Sequence, residues 1–346
     1  MRRLSAILIA VLAIAAVGAL LGGCEQTKTS APQPTIPLST PEATTKPVRI
    51  GIVTNAVAPF WDPMEKGMED AAGKLPGCEA SWQGPQTSRV AEQLRLIENY
   101  VARGVDGLAI SPLEAEAIAP KIDELIDNGI NVICIDSDIP NCKRLAYIGT
   151  NNIKAGEAIG KQLVKILNGR PAKVVAFVGT MSAQNARERL EGFKRATKDH
   201  GIEVVDVKQD NTDKGKARRN VEDTLQAMPE VNVLLGLWSY NLPAIAAAVK
   251  EAGKRDKIVV IGFDAEPATL EGLQKGDIDA TVVQKPYYFG YLSVMVLYNM
   301  AKCAVEAVQM LLPPPDHVVD TGVVIVTPEN VEEFIKYLHS LGVESS

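Results

Sequence analysis

The sequence predicts an α/β protein built from two similar domains, each a parallel β-sheet covered by helices on both faces. From Pro47 onward, short β-branched runs alternate with segments of helical periodicity, and this alternation is typical of parallel sheets. About ten strand–helix units follow one another, which is more than one sheet usually holds. The pattern also restarts near residue 150, which indicates a second domain of the same kind.

In the first half of the chain, strands are predicted from Val- and Ile-rich runs and helices from apolar residues at helical spacing. The first helix follows Asp62, an N-cap residue, and starts with Pro63, which suits a first helical turn. The predicted strands are 48–53, 79–82, 107–110, 131–135 and 145–148, and the predicted helices are 63–74, 88–103 and 113–128.

The second half repeats the alternation by the same criteria. Its predicted strands are 173–178, 203–207, 231–237, 258–262, 280–283 and 323–326. Its predicted helices are 152–167, 183–200, 213–227, 241–252, 266–275, a long helix from 287 to about 310, and 328–341.

Residues 1–23 have the pattern of a lipoprotein signal peptide. Arg2 and Arg3 precede an apolar run from Leu4 to Leu21, as in secretory signals. The run ends in Leu-Gly-Gly-Cys24, which resembles a bacterial lipobox, so we expect cleavage before Cys24 and lipidation of its thiol. The run is also long enough to span a bilayer, and a retained anchor helix is the alternative.

Residues 24–47 differ in composition from the rest of the chain. They contain many Pro, Thr and Ser residues and no aromatic residue, so they cannot bury enough apolar surface to order themselves. We interpret the segment as a tether. It would hold the domains at an extracytoplasmic surface, either in a periplasm or on the outer face of the cell membrane. No later segment is predicted to cross a membrane.

The composition excludes several classes of function. The chain has 36 Lys and Arg against 42 Asp and Glu, and its basic residues are spread without a stripe, so we expect no nucleic-acid partner. The three histidines lack metal-ligand spacing, and neither Cys-x-x-Cys nor Gly-x-Ser-x-Gly occurs. We therefore expect no metal, no cofactor and no catalysis.

Four cysteines follow Cys24, and an exported protein is allowed disulfides. Cys78 and Cys142 both fall in predicted loops, so a bridge between them is possible, but the sequence does not fix the pairing. Cys134 lies inside an apolar strand and is interpreted as a buried apolar residue.

Several segments in order resemble the ribose- and galactose-binding family of periplasmic binding proteins. They are Thr54-Asn55 with Pro59-Phe60-Trp61, Val105 to Pro112, Val132 to Asp136, Ala186 to Arg189 with Gly192-Phe193, Ile261 to Asp264, and Ala280 to Gln284. Together they cover nearly all of residues 48–326. The resemblance implies a sugar-binding protein that delivers its ligand to the permease of an ABC importer, and it implies a monomer.

The resemblance also implies two Rossmann-like, doubly wound lobes joined by a three-stranded hinge, the type I architecture. The crossings are expected near residues 149–151, 284–286 and 320–323. The N-terminal lobe would hold residues 48–150 plus 286–320, and the C-terminal lobe residues 151–285 plus 321–346. The ligand would occupy the cleft between them, and the lobes would close over it.

Strand ends independently indicate the same site, because ligands of open parallel sheets bind beyond the carboxyl ends of the strands. Five polar or aromatic residues lie at or just after a predicted strand end: Asn55, Ser111, Asp136, Trp238 and Asp264. Carboxylate, amide and guanidinium groups bind sugar hydroxyls, and aromatic rings cover the apolar ring faces. Taken singly, an Asp or Asn after a strand could equally cap the next helix.

By resemblance, Asp136 and Arg187 anchor ligand hydroxyls or the ring oxygen. Asp264 and Gln284 bind from the second lobe, Asn55 binds from the first, and Phe60 and Trp61 stack on the sugar ring. Ser137 stands where the ribose-binding pattern has an arginine, and Ser111 and Trp238 stand where it has asparagines, so a different pentose or a hexose is as well supported as ribose. Arg189 and Glu191 are interpreted as a surface ion pair.

Two other classes of protein share this architecture. A transcription regulator of the lactose-repressor type needs a DNA-binding head, but an export signal occupies that position. A sensory module would present its closed form to a chemoreceptor or histidine kinase, and nothing in the sequence separates this role from transport. A binding protein for a non-sugar polar ligand is a further alternative.

Overall fold

The computed structural model describes residues 46–87 and 89–344. In chain order, the first half forms β1 (Val48–Val53), α1 (Asp62–Ala72), β2 (Cys78–Gln83), α2 (Val90–Ala102), β3 (Gly107–Ile110), α3 (Ala115–Asp127), β4 (Asn131–Ile135) and β5 (Tyr147–Gly149). The second half forms α4 (Asn152–Leu167), β6 (Ala172–Val178), α5 (Gln184–Thr197), β7 (Ile202–Gln209), α6 (Lys214–Ala227), β8 (Val233–Gly236), α7 (Asn241–Glu251), β9 (Val259–Phe263), α8 (Pro267–Lys275), β10 (Ala280–Val283), α9 (Pro286–Lys302), α10 (Val305–Gln309), β11 (Val318–Asp320), β12 (Val324–Val326) and α11 (Val331–Ser340).

The strands form two six-stranded sheets, and each sheet is the centre of one lobe. The N-lobe sheet has the order β11-β5-β4-β3-β1-β2, and the C-lobe sheet has the order β12-β10-β9-β8-β6-β7. All neighbouring strands are parallel except β12, which runs antiparallel to β10. The predicted fold class, two doubly wound lobes, is therefore confirmed. Strand β11 has only three residues and is not predicted from the sequence.

The chain passes between the two sheets three times: between β5 and α4, between β10 and α9, and between β11 and β12. Helix α9 follows a C-lobe strand, yet it packs against α1 and β4 of the N-lobe. The predicted long helix from 287 to about 310 is wrong. It is divided into α9 and α10, because the backbone is extended at Cys303 (φ −125°, ψ 171°).

Glycine residues allow one pair of helices in each lobe to pack at backbone distance. A Cβ atom on Gly67 of α1 would lie 1.9 Å from the carbonyl oxygen of Tyr287 in α9, and one on Gly290 would lie 2.0 Å from that of Met64. In the C-lobe, a Cβ atom on Gly192 of α5 would lie 2.0 Å from the oxygen of Ile153 in α4. The contact in each lobe therefore requires residues without a side chain.

The cysteines of the described residues are all free. Cys78 is the first residue of β2 and lies opposite Val48, at the amino end of the N-lobe sheet. Cys142 lies in the loop after β4, beyond the carboxyl end of the same sheet. The bridge between these two residues that the sequence left open is therefore not formed.

Within residues 46–87 and 89–344, no helix is long and apolar enough to span a membrane. The predicted signal peptide, Cys24 and all but the last two residues of the predicted tether lie outside these ranges.

Candidate functional site

Residues from both lobes line one cleft at the carboxyl ends of the two sheets. The empty volume inside it is about 430 Å³, which includes space open to solvent. The N-lobe contributes Asn55, Ala56, Ala58, Phe60, Trp61 and Asp136, and the C-lobe contributes Asn185, Arg189, Thr212, Trp238, Ser239, Tyr240, Asp264 and Gln284. Parallel strands place these residues together because their carboxyl ends meet at one edge of each sheet.

Asp136 is the central acid on the N-lobe side. It follows β4 with a left-handed backbone (φ 58°), which turns its side chain out of the strand. Its Oδ2 atom accepts hydrogen bonds from Ser111 Oγ at 2.9 Å, Asn185 Nδ2 at 3.2 Å and Asn55 Nδ2 at 3.4 Å. Burial raises the pKa of this carboxyl, although Arg189 and two of these donors oppose the rise.

Arg189 is the central positively charged residue on the C-lobe side, and its side chain is 1% exposed. Its Nε donates to Asn152 Oδ1 at 3.0 Å and its Nη1 donates to the Leu237 carbonyl at 2.8 Å. The guanidinium group lies over the ring of Phe263, 4.6 Å from the ring centroid. These contacts fix the plane of the guanidinium group, and its Nη2 has no hydrogen-bond partner among the described residues.

Asp264 is the second buried acid, and it follows β9 with a left-handed backbone (φ 66°). Its Oδ1 accepts a hydrogen bond from Gln284 Nε2 at 3.1 Å, and its Oδ2 lies 3.9 Å from Arg189 Nη1. Burial raises the pKa of Asp264 to about 6; Asp136 adds to the rise and Arg189 opposes it. The cleft therefore holds one guanidinium group between two buried carboxyl groups.

Aromatic rings form the apolar walls of the cleft. Phe60 and Trp61 lie in a 3₁₀ turn before α1, with their ring centroids 4.9 Å apart in an edge-on arrangement. On the other lobe, the indole Nε1 of Trp238 donates to Asn185 Oδ1 at 3.2 Å. Asn185 also donates to Asp136 of the N-lobe. Its amide therefore positions both the Trp238 ring and the Asp136 carboxyl group.

Seven of the ten predicted ligand-binding residues line the cleft: Asn55, Phe60, Trp61, Asp136, Trp238, Asp264 and Gln284. Two others lie just behind it. Ser111 is fully buried and reaches the site only through its hydrogen bond to Asp136. Ser137 is 1% exposed and is not among the lining residues.

The structure corrects the prediction for Arg187. Its side chain is exposed and donates to the carbonyl oxygens of Met181 and Ser182, 3.0 and 2.5 Å away. The arginine in the cleft is Arg189, two residues later, for which the sequence analysis expected a surface ion pair. Glu191, its expected partner, instead pairs with Arg195. Arg189, and not Arg187, therefore lines the cleft.

Four further residues line the cleft and are not predicted from the sequence: Asn185, Thr212, Ser239 and Tyr240. A usable signal existed for Asn185 and Arg189, because they are four residues apart and share one face of α5. Gly192, three residues beyond Arg189, lies against α4, and a glycine at helical spacing could have marked that face as buried. Thr212 and Tyr240 lie in turns, where no helical or strand periodicity marks a residue as facing the cleft.

In the part of the chain that the structure describes, no group of three or more His, Cys, Asp or Glu side chains could hold a metal ion. The polar side chains that line the cleft carry carboxyl, amide, guanidinium, hydroxyl and indole N–H groups. They are suited to hydrogen bonding with a neutral polar ligand.

Two lobes of parallel sheet joined by three crossings, with polar and aromatic side chains lining the cleft between them, are the architecture of a bilobed binding protein. The chain belongs to the ribose-binding family of type I periplasmic binding proteins: residues 50–304 match the family model described as periplasmic binding protein domain. It is 28% identical over 235 residues to the ribose import binding protein RbsB of Bacillus subtilis, covering 68% of this chain and 75% of that protein.

Solved structures resemble most of the described chain. A solute-binding protein of an ABC transporter from Burkholderia graminis, in complex with D-arabinose, has a TM-score of 0.75 and 32% identity, covering 82% of this chain and 96% of that one. A structure of a XylFII–LytSN complex has a TM-score of 0.73 and 27% identity, covering 82% of this chain and 98% of that one.

Proposed function

We propose that the chain captures a small sugar, a pentose or a hexose, in the cleft and delivers it to an ABC importer. One observation carries the proposal. Arg189 Nη2 and Gln284 Oε1 are buried, line the same cleft and have no hydrogen-bond partner among the described residues. Buried polar atoms are nearly always paired. An open donor and an open acceptor match a ligand hydroxyl group, which accepts one hydrogen bond and donates another.

The remaining side chains fit the same ligand class. Asp136 and Arg189 anchor hydroxyl groups from the two lobes, Asp264 and Gln284 bind from the C-lobe, and Asn55 binds from the N-lobe. Charge-assisted bonds of this kind are stronger than neutral ones. The rings of Phe60, Trp61 and Trp238 cover the apolar faces of the sugar. The D-arabinose complex of the Burkholderia graminis protein supports a monosaccharide as the ligand.

We also propose that the protein is anchored to a membrane. Cleavage before Cys24 leaves a lipid-anchored monomer on the extracytoplasmic side of a membrane, and residues 25–47 tether the lobes to it. Mass spectrometry of the protein extracted from membranes should find residues 1–23 removed and a lipid on Cys24. An unmodified Cys24 with residues 1–23 still attached would favour the retained anchor helix instead.

A thermal-shift screen against pentoses, hexoses, inositols, nucleosides and amino acids tests the ligand class. Binding to the native state raises Tm, and a ligand at about 100 times its Kd adds roughly 2.7 kcal/mol of stability. We expect a clear rise with one or a few sugars, and lower Rg by small-angle scattering in their presence. A hit only among non-sugars would overturn the substrate class but keep the fold.

A second candidate function is ligand sensing. The similarity to the XylFII–LytSN complex supports it, because XylFII is bound to a second protein there. Co-purification of the sugar-loaded chain with an importer permease supports transport. Sugar-dependent capture by a sensor ectodomain, without capture by the permease, supports sensing.

A further inference from the structure

Two cysteines, Cys134 and Cys142, flank the segment that carries Asp136 of the cleft. Cys134 is the fourth residue of β4 and is fully buried. Cys142 is half-buried in the loop that follows this strand, and the two thiols are hydrogen-bonded to each other. The Sγ atom of Cys142 also donates to the carbonyl oxygen of Ile139 at 3.1 Å. Both side chains belong to one apolar cluster of the N-lobe.

The loop between these cysteines is held in place at both ends. Its turn is closed by a hydrogen bond from Cys142 N to the Ile139 carbonyl at 3.3 Å, and the returning chain pairs with β4 again through Leu145 N and the Val132 carbonyl at 2.8 Å. An ion pair between Arg144 and Asp138, both largely buried, spans the base of the loop. This backbone path returns Cys142 to the side of β4, where it packs against the apolar cluster that contains Cys134.

We propose that Cys134 and Cys142 form an intramolecular disulfide when the protein meets an oxidising thiol–disulfide couple. The bridge would close a ring that contains Asp136, Ser137 and Asp138. It would fix the loop that carries the central carboxyl group of the cleft. Its formation in cells rests on the proposed extracytoplasmic location, whereas its formation from a defined disulfide reagent does not.

The chemistry is a thiol–disulfide exchange with a small external disulfide, R–S–S–R, as the oxidant. Cys142 reacts first because its side chain reaches an open cavity at the hinge, whereas Cys134 is sealed in the core. The Cys142 thiolate attacks one external sulfur, which gives a mixed disulfide and releases RS⁻. The Cys134 thiolate then attacks Cys142 Sγ and releases the second RS⁻. The two protons of the protein thiols go to these two leaving groups, so R–S–S–R is reduced to two R–SH.

The ionisation of the pair agrees with this order. The hydrogen bond from Cys134 lowers the pKa of the Cys142 thiol, and burial raises the pKa of Cys134. The lower pKa gives Cys142 the larger thiolate fraction, and the thiolate is the reacting species.

Peptide mass spectrometry tests the bridge directly, because trypsin leaves both cysteines in one peptide, residues 122–143. The full chain in detergent is equilibrated with mixtures of glutathione and glutathione disulfide, denatured, alkylated with N-ethylmaleimide and digested without reductant. In oxidising mixtures we expect this peptide to be unalkylated and two hydrogen atoms lighter than the dithiol. Prior reduction should return it with two alkyl groups.

Two variants separate this bridge from other thiol reactions. Oxidation should raise the Tm of the wild type, because a bridge restricts the unfolded chain. Cys142→Ser should leave Cys134 alkylated in every mixture and should show no such rise. Cys303→Ser removes an exposed thiol away from the pair and should behave like the wild type. Two alkyl groups on peptide 122–143 in all mixtures, or a persistent glutathione adduct on Cys142, would overturn the proposal. Neither result bears on sugar binding, which the thermal-shift screen measures separately.

Discussion

Arg189 of the C-lobe and Asp136 of the N-lobe face each other across the cleft, with 4.0 Å between Nη2 and Oδ1. That separation is too long for a hydrogen bond, and both side chains are buried. Burial strengthens the attraction between opposite charges but penalises each charge that is left without hydrogen bonds. A ligand hydroxyl that bonds to both groups would relieve this penalty, which makes the pair the expected centre of binding and of lobe closure.

Removing the Arg189 guanidinium group should therefore abolish most sugar binding, whereas removing that of Arg187 should not. Hydrogen bonds to charged groups contribute roughly 1.5–3 kcal/mol each, so we expect Arg189→Ala to weaken binding by at least about 100-fold in isothermal titration. Arg187→Ala is the matched control and should stay within about twofold. Because Arg189 also bonds to Leu237 and Asn152, Arg189→Lys serves as a second variant that keeps the charge. Equal losses for Arg187→Ala and Arg189→Ala would contradict the assignment.

The raised pKa of Asp264 predicts that the ligand-free protein loses stability as pH rises. Below about pH 4 this carboxyl is protonated in both the folded and the unfolded chain. Between about pH 4 and 6 only the folded chain keeps the proton, so the free energy of unfolding falls with rising pH. A shift to about 6 corresponds to roughly 3 kcal/mol at neutral pH.

Asp264→Asn removes this ionisation and keeps the shape of the side chain. Without ligand at pH 7, the variant should have a higher Tm than the wild type. This difference in Tm should disappear as the pH is lowered to 4. Its sugar affinity should fall at the same time. A difference in Tm that stays constant from pH 4 to 7 would show that Asp264 does not titrate in this range.

Trp238 is expected to report sugar binding through its fluorescence. Its ring lines the cleft and is held by Asn185, whereas Trp82 lies in the edge strand β2, outside the lining residues. Trp238→Ala should weaken sugar binding about tenfold or more, because the ring supplies apolar contact area and stacking. Trp82→Phe should leave both the affinity and the fluorescence response unchanged. An unaltered affinity in Trp238→Ala would show that this ring does not contact the sugar.

The backbone contact between α1 and α9 predicts a large loss of stability for Gly67→Ala. The added Cβ atom would lie 1.9 Å from a backbone oxygen, so the helices must separate, and overpacking of this kind costs about 1–3 kcal/mol or more. Gly73 ends the same helix, and its added Cβ atom would come no closer than 3.4 Å to its neighbours. Denaturant titration should place Gly73→Ala within about 0.5 kcal/mol of the wild type. Similar values for both variants would show that α9 does not pack here in solution.

The parts of the molecule that the sequence predicted well are those set by local patterns. Val- and Ile-rich runs located most strands, and residues at the strand ends, such as Asp136 and Asp264, located most of the cleft. The choice between Arg187 and Arg189 failed because it depends on which face of α5 packs against α4, a tertiary property. Strand β11 is too short to leave a pattern, and its place beside β5 depends on a chain segment far away in sequence.

The return of α9 to the N-lobe imposes an order on folding during synthesis. Residues 152–283 contain five of the six C-lobe strands in one continuous stretch, so that lobe can assemble almost completely while the ribosome is still translating. The N-lobe starts first but cannot cover α1 until residues 286–302 have emerged, and its sheet waits for β11. The N-lobe is therefore synthesised first but completed late. Until then the apolar face of α1 is uncovered, and it must either be protected from aggregation or be bound by the export machinery.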